Sequence, residues 1–308
     1  MPSRRWAQQL IHNSVKLNAL KPTEVDHSRI LASNQQNLTK VFNLLKEPYL
    51  KHKYPIGCIN NLDETSLLVK KLSSVAFRIC FIDQDFIPTQ SLQLITSSAT
   101  LLCVAADSFA FPSAQIFPQT LNLSSIKDFN NKQFLTFQNL NGWMTKQIFR
   151  YLMLTFYIPA IVERRKEFIG AERSLLMLNG QGSRLSIDVW KKCQENNIDG
   201  IVFLSLTTYL IQALDRGINA VYKQKLQKHA IMIKVYHDME IMIQPFIDSI
   251  IQSAQCTLTV KTIKNGFKQL ATVPLNNIKF SNNYLNIPQH GQLLKKKQGN
   301  SHTKKEKD

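Results

Sequence analysis

The chain has 308 residues, 44% of them hydrophobic, which is enough for one large or two ordinary cores and excludes a largely disordered polymer. Lys and Arg number 38 against 21 Asp and Glu, a formal charge of +17 that favours a polyanionic partner, nucleic acid ahead of an acidic membrane surface. No apolar run reaches bilayer length, the opening MPSRRWAQQLIHNS has no signal-peptide core, and five scattered cysteines form no CxxC pair, so a soluble intracellular protein without a membrane span, a zinc site or a disulfide framework is expected.

Through the first fifty residues, WAQQL and NLTKVFNLLKEPYL place apolar side chains at helical spacing, broken at Pro22, with Ser33-Asn34 suited to cap the second helix. IGCINNLD (56–63) and ATLLCVAA (99–106) are strand-like, and Asp107-Ser108 followed by FAFPSAQIF predicts a hairpin. Thr145 caps a helix through KQIFRYLMLTFYIPAIVERR, with a kink or restart at Pro159. Strand SLLMLN, helix SIDVWKKCQENN and strand DGIVFLSL then form a βαβ unit, so part of the sheet is parallel. A long helix from about Gly217 to His237 and two more, EIMIQPFIDSIIQSA and KTIKNGFKQLA, precede a lysine-rich, low-complexity end that reads as a disordered tail. Trp143 and Trp190 read as core anchors rather than base-stacking platforms.

Asp63 ends the first strand, Asp215 opens the long helix, and the strand SLLMLN ends in the amide Asn179. Parallel strands place their C-terminal ends on one edge, where ligands of α/β sheets bind. Two carboxylates converging there from separate elements repel unless a cation lies between them, and hard divalent ions such as Mg²⁺ or Mn²⁺ take carboxylate oxygens. Taken singly, each residue has an ordinary explanation: a strand-end turn for Asp63, a helix N-terminal acid for Asp215, an Asn-Gly turn for Asn179.

Together these motifs carry a resemblance. INNLDETSL resembles the N-x-DET segment of the pogo/Tigger branch of the DDE transposase superfamily, which includes jerky-like and centromere-protein-B-like proteins. TLLCVAADSFAFP resembles its second and third strands, GWMTKQIFRYLMLTFYIPAI its helix signature, and residues 174–223 the stretch from LLLDGHxSH to VFxxxK. The match runs from about Trp6 to about Pro274. It implies an RNase H-like fold, an α/β mixed sheet flanked by helices with a helical C-terminal extension. It also implies three acids holding two divalent ions, Mg²⁺ or Mn²⁺, over a phosphodiester, one ion serving the attacking oxygen and the other the leaving one.

Carried over residue by residue, the first acid is Asp63 and the third Asp215, while the second falls on Asn179. An amide offers one neutral oxygen and removes one of three charges facing two dications, so metal occupancy should weaken, the second ion most. Glu64 points to the opposite face of its strand, Asp188 lies on the next helix and Asp199 begins its strand at the far end, so none replaces the lost acid. Ser108, Gln181, Ser205-Leu206-Thr207, Tyr209 and Ala213 also depart from the pattern at the site, whereas scaffold positions keep it.

The resemblance divides the chain into a helical lead-in over 1–50, the remnant of the end of a helix-turn-helix module, an RNase H-like domain over 51–237, C-terminal helices over 238–285 and a basic tail over 286–308. Arg164, Arg165, Lys166, Lys223, Lys225 and Lys228 are candidates for tracking a DNA backbone, against the alternative of solvated helix faces. The expectation is a nuclear, transposase-derived DNA-binding domain with a degenerate site. Its alternatives are an active divalent-metal-dependent endonuclease and a transposon relic without a role. Expected partners are DNA phosphates and a second copy of the chain as a homodimer, with no membrane and no small-molecule substrate.

Overall fold

The computed structural model describes residues 4–13, 34–68, 97–119, 134–180, 186–203, 208–236, 243–268, 270 and 273. Gln181, the loop 205–207 and the tail 286–308 lie outside the described residues. After helix α1 (Arg4–His12), helix α2 (Gln35–Lys51) starts at Asn34, whose side chain accepts the Asn37 N–H at 2.9 Å, the cap expected there. A short 3₁₀ turn (Ile56–Cys58) leads into β1 (Ile59–Leu68), so the first strand begins later and runs further than IGCINNLD suggests. Strands β2 (Ser97–Ala105) and β3 (Ser113–Pro118) form the expected antiparallel pair. Their connection turns at Ser108, whose φ of +83° lies in the left-handed region that glycine adopts most easily.

Strand β4 (Phe134–Asn139) precedes one long helical segment composed of α3 (Lys146–Leu152), a π-turn (Met153–Tyr157) and α4 (Ile158–Arg165). The disturbance expected at Pro159 is displaced to the turn before it. Proline has no N–H to give and its ring presses on the carbonyl four residues back, and the widened turn, in which the Ile158 N–H bonds Met153 O, relieves both. Strand β5 (Ser174–Asn179), helix α5 (Ile187–Glu195) and strand β6 (Ile198–Phe203) form the βαβ unit. A one-turn helix α6 (Thr208–Ile211), a second π-turn (Leu214–Ile218), α7 (Asn219–Tyr236), α8 (Ile243–Thr257) and α9 (Val260–Lys268) complete the described elements.

The six strands make one mixed sheet in the order β4-β3-β2-β1-β5-β6. β1, β2 and β3 are antiparallel neighbours, β5 and β6 run parallel to β1, and β4 adds a parallel edge beside β3. That order with helices on both faces is the RNase H-like arrangement expected from the sequence. On one face Ile59, Leu102, Met177 and Phe203 pack with Leu38, Val41 and Leu45 of α2, the second π-turn and α9. On the other, Leu62, Leu101, Cys103 and Leu176 pack under α3, α4 and α5. A third cluster joins Tyr222 and Leu226 of α7 and Ile247 and Ile250 of α8 to Phe117 and Phe134.

In the packing, α2 is part of the main core. Trp190 covers the backbone at Gly200, where an added Cβ would stand 1.9 Å from its Cζ3, and it packs against the second cluster. Trp143 is 38% exposed and does not serve as a core anchor. Cys58, Cys103 and Cys193 are buried, and burial pushes the Cys193 thiol up to about 12. No described helix is long and apolar enough to cross a membrane.

Candidate functional site

Alternation along β1 turns Asn61, Asp63 and Thr65 toward the face that carries the second π-turn. Asn61 is the anchor. Its amide nitrogen donates to Met177 O of β5 at 3.1 Å and its oxygen accepts the Leu214 N–H at 2.9 Å, which fixes the π-turn against the strand pair one residue before Asp215. Gln212 adds a 3.4 Å bond to Leu62 O. Asp63 is 1% exposed, and both of its oxygens receive amide N–H groups: Oδ1 from Asn179 Nδ2 at 3.1 Å and Oδ2 from Asn219 Nδ2 at 3.2 Å. The same Asn219 nitrogen lies 3.5 Å from Asp215 Oδ1.

The structure thus brings Asp63, Asn179 and Asp215 together at the C-terminal edge of β5, and it adds Asn219 between the two carboxylates. Asn219 is 7% exposed and its Oδ1 has no hydrogen-bond partner, as is also true of Gln212 Oε1. Sequence reasoning missed Asn61, Gln212 and Asn219. The signals were there in part, since position 219 lies one helical turn after Asp215 and position 61 shares the face of Asp63.

The other acids lie where the sequence put them. Glu64, partly buried, lies on the opposite face of β1, and Asp188 is exposed and paired with Arg150 at 2.8 Å. Asp199 sits at the start of β6, held by Arg173 Nε at 2.7 Å and Nη2 at 2.5 Å and by the Tyr54 hydroxyl at 2.7 Å. Burial pushes its carboxyl up, but the bonds from Arg173 and Tyr54 outweigh this and hold it below the ordinary carboxylate range. Among the described residues no group of three or more His, Cys, Asp or Glu side chains is placed to hold a metal.

The candidate DNA-contacting cations scatter. Arg164 is 10% exposed, ion-paired with Asp107 and, at 3.1 Å, with Glu167, and its guanidinium stacks 3.8 Å from the Phe109 ring centroid. Arg165 donates to Asn197 O at 2.9 Å and Asn196 O at 3.0 Å, closing the turn before β6, and Lys166 pairs with Glu163 at 2.6 Å. All three lie at the edge where β5 and β6 begin, about 17 Å, the length of a six-residue strand, from the edge that holds Asp63. Two of them are therefore structural side chains, and the cluster does not border the acids. On α7, Lys225 donates to Cys256 O at 3.1 Å in the last turn of α8, where a cation suits the helix dipole, while Lys223 and Lys228 are exposed.

A family profile described as DDE superfamily endonuclease matches residues 95–267. Among solved structures, the chain is similar to a Mos1 mariner paired-end complex with Mn, at 10% identity and a TM-score of 0.47, covering 93% of this chain and 72% of that one. A Mos1 transposase paired-end complex with left transposon end gives 10% identity, a TM-score of 0.41 and coverage of 85% and 70%. The Mos1 transposase catalytic domain with Raltegravir and Mn gives 9%, 0.37, and 79% and 96%. At such identities no residue role passes from those proteins to this one. No curated protein matches the chain in sequence. The family match spans residues 95–267 of a 308-residue chain, from β2 through the turn that holds Asp215 to α9, and on it the chain belongs to the DDE superfamily endonuclease family.

Proposed function

We propose that this chain is a transposase-derived DNA-binding domain in which metal-dependent strand cleavage has been lost. The observation that carries the reading is the state of Asp63: both carboxylate oxygens accept amide N–H groups, from Asn179 and Asn219, in positions where metal ligands would turn their lone pairs to a cation. Two carboxylates and the free Asn219 Oδ1 are a donor set for one hard cation, and they leave a pair of dications under-neutralised. Binding is assigned to phosphates because the excess charge of +17 is sequence-blind. The motifs that resemble the pogo/Tigger branch support placement within it, and that ancestry supports a nuclear location and a homodimer.

Plasmid nicking in Mg²⁺ or Mn²⁺ tests the reading. Wild-type protein is expected to leave supercoiled plasmid intact while retarding it in gels. Nicking that disappears in Asp63→Ala would overturn the loss of cleavage. The second reading, an active divalent-metal endonuclease, draws on one observation, the buried and unpartnered Asn219 Oδ1 beside two carboxylates. In that case Asp63, Asp215 and Asn219 would hold the ion, which would supply Lewis-acid stabilisation of phosphodiester oxygens.

A further inference from the structure

Helix α9 lies on the π-turn that carries Asp215. Its inner side, Ile263, Gly266 and Phe267, packs on Ala213, Leu214 and Ile218. A Cβ at Gly266 would stand 2.9 Å from Ile218 Cδ1 and 3.1 Å from Ala213 O, so helix and turn meet almost backbone to backbone. Its outer side presents Lys261, Lys264 and Lys268, all exposed, at spacings of three and four residues that align them in one stripe. Three other surface cations have acidic partners, Lys166 with Glu163, Lys192 with Glu195 and Arg150 with Asp188. Residues 249–305 contain nine lysines and neither Asp nor Glu. The charges on the turn beneath α9, Asp215 and Arg216, offset each other.

We propose that the lysine stripe of α9 is the surface along which this protein holds the phosphate backbone of DNA beside Asp215. The inference rests on the DNA-binding reading above and names the face that carries it. From Lys261 to Lys268 the helix rises about 10 Å, which matches about three successive phosphates of one strand at ~3.4 Å each. A rigid helix seated on the site's own turn presents these charges in a fixed register with the acids. The cations at the opposite edge of the sheet do not.

Fluorescence anisotropy with a labelled DNA duplex over a salt series tests this on the full chain. Lys261→Ala/Lys264→Ala/Lys268→Ala should weaken binding roughly tenfold or more and reduce the slope of log K against log salt by about 2–3. Lys191→Ala/Lys192→Ala, on α5 at the other face of the sheet, should leave both nearly unchanged. Circular dichroism melting is expected to be the same for all three proteins, since every altered side chain is exposed. If wild-type protein binds duplex and the triple variant binds equally well, the α9 surface is overturned and the DNA-binding reading stands. If wild-type protein does not bind duplex, or binds only phosphatidylserine vesicles, both fall.

Discussion

Asn179 donates to Asp63, and that bond suits only an amide. In Asn179→Asp a third carboxylate would join Asp63 and Asp215 at the edge without a cation, which raises the pKa of one by a unit or more, at about 1.4 kcal/mol per unit. Urea unfolding at neutral pH is expected to show a loss of about 1–3 kcal/mol, shrinking as pH falls toward 4, with millimolar Mn²⁺ restoring part of it. A variant as stable as wild type without metal, and unmoved by Mn²⁺, would refute this account of the amide. Ser108 presents the opposite case, a side chain where the backbone prefers none. Its φ of +83° costs a non-glycine residue about 1 kcal/mol, so Ser108→Gly should raise stability by about that amount, read as a higher urea midpoint with an unchanged slope.

At the scale of elements, Asp199 ties three of them together: Tyr54 from the loop after α2, Arg173 from the approach to β5, and the start of β6 itself. Its folded carboxyl lies below the ordinary value of about 3.9. A depressed carboxylate contributes stability that is present in full above the unfolded pKa and is lost as pH falls through the folded one. Thermal melts between pH 7 and pH 3 should therefore show a loss on acidification that is smaller in Asp199→Asn, a variant already less stable at pH 7 by about 1–3 kcal/mol. The two π-turns belong to this scale as well. One absorbs Pro159, and the other turns Asp215 toward β1 through the Asn61 bond to Leu214. A disturbance near Pro159 is legible from the sequence, but the π form of either turn is not, because helical periodicity is nearly the same for a four-residue and a five-residue hydrogen-bond step over a single turn.

For the whole molecule, α2 is a working part of the core. Leu45 is fully buried against the sheet, whereas Leu50 in the same helix is 77% exposed. Leu45→Ala is expected to cost about 2–5 kcal/mol and Leu50→Ala close to nothing, a contrast measurable by chemical denaturation.

The sequence by itself determined the α/β class, the βαβ unit and the hairpin after β2. Each depends on local period, on capping and turn residues, or on motifs short enough to be read along the chain. Only the tertiary structure decided that Asn219 stands between the acids, that Asn61 anchors their turn, that Arg164 and Arg165 are consumed inside the fold, and that α9 packs on the turn that carries Asp215. Those are contacts between segments up to about 150 residues apart, and hydrogen bonds across such separations are fixed by strand register and helix packing, which no local pattern encodes.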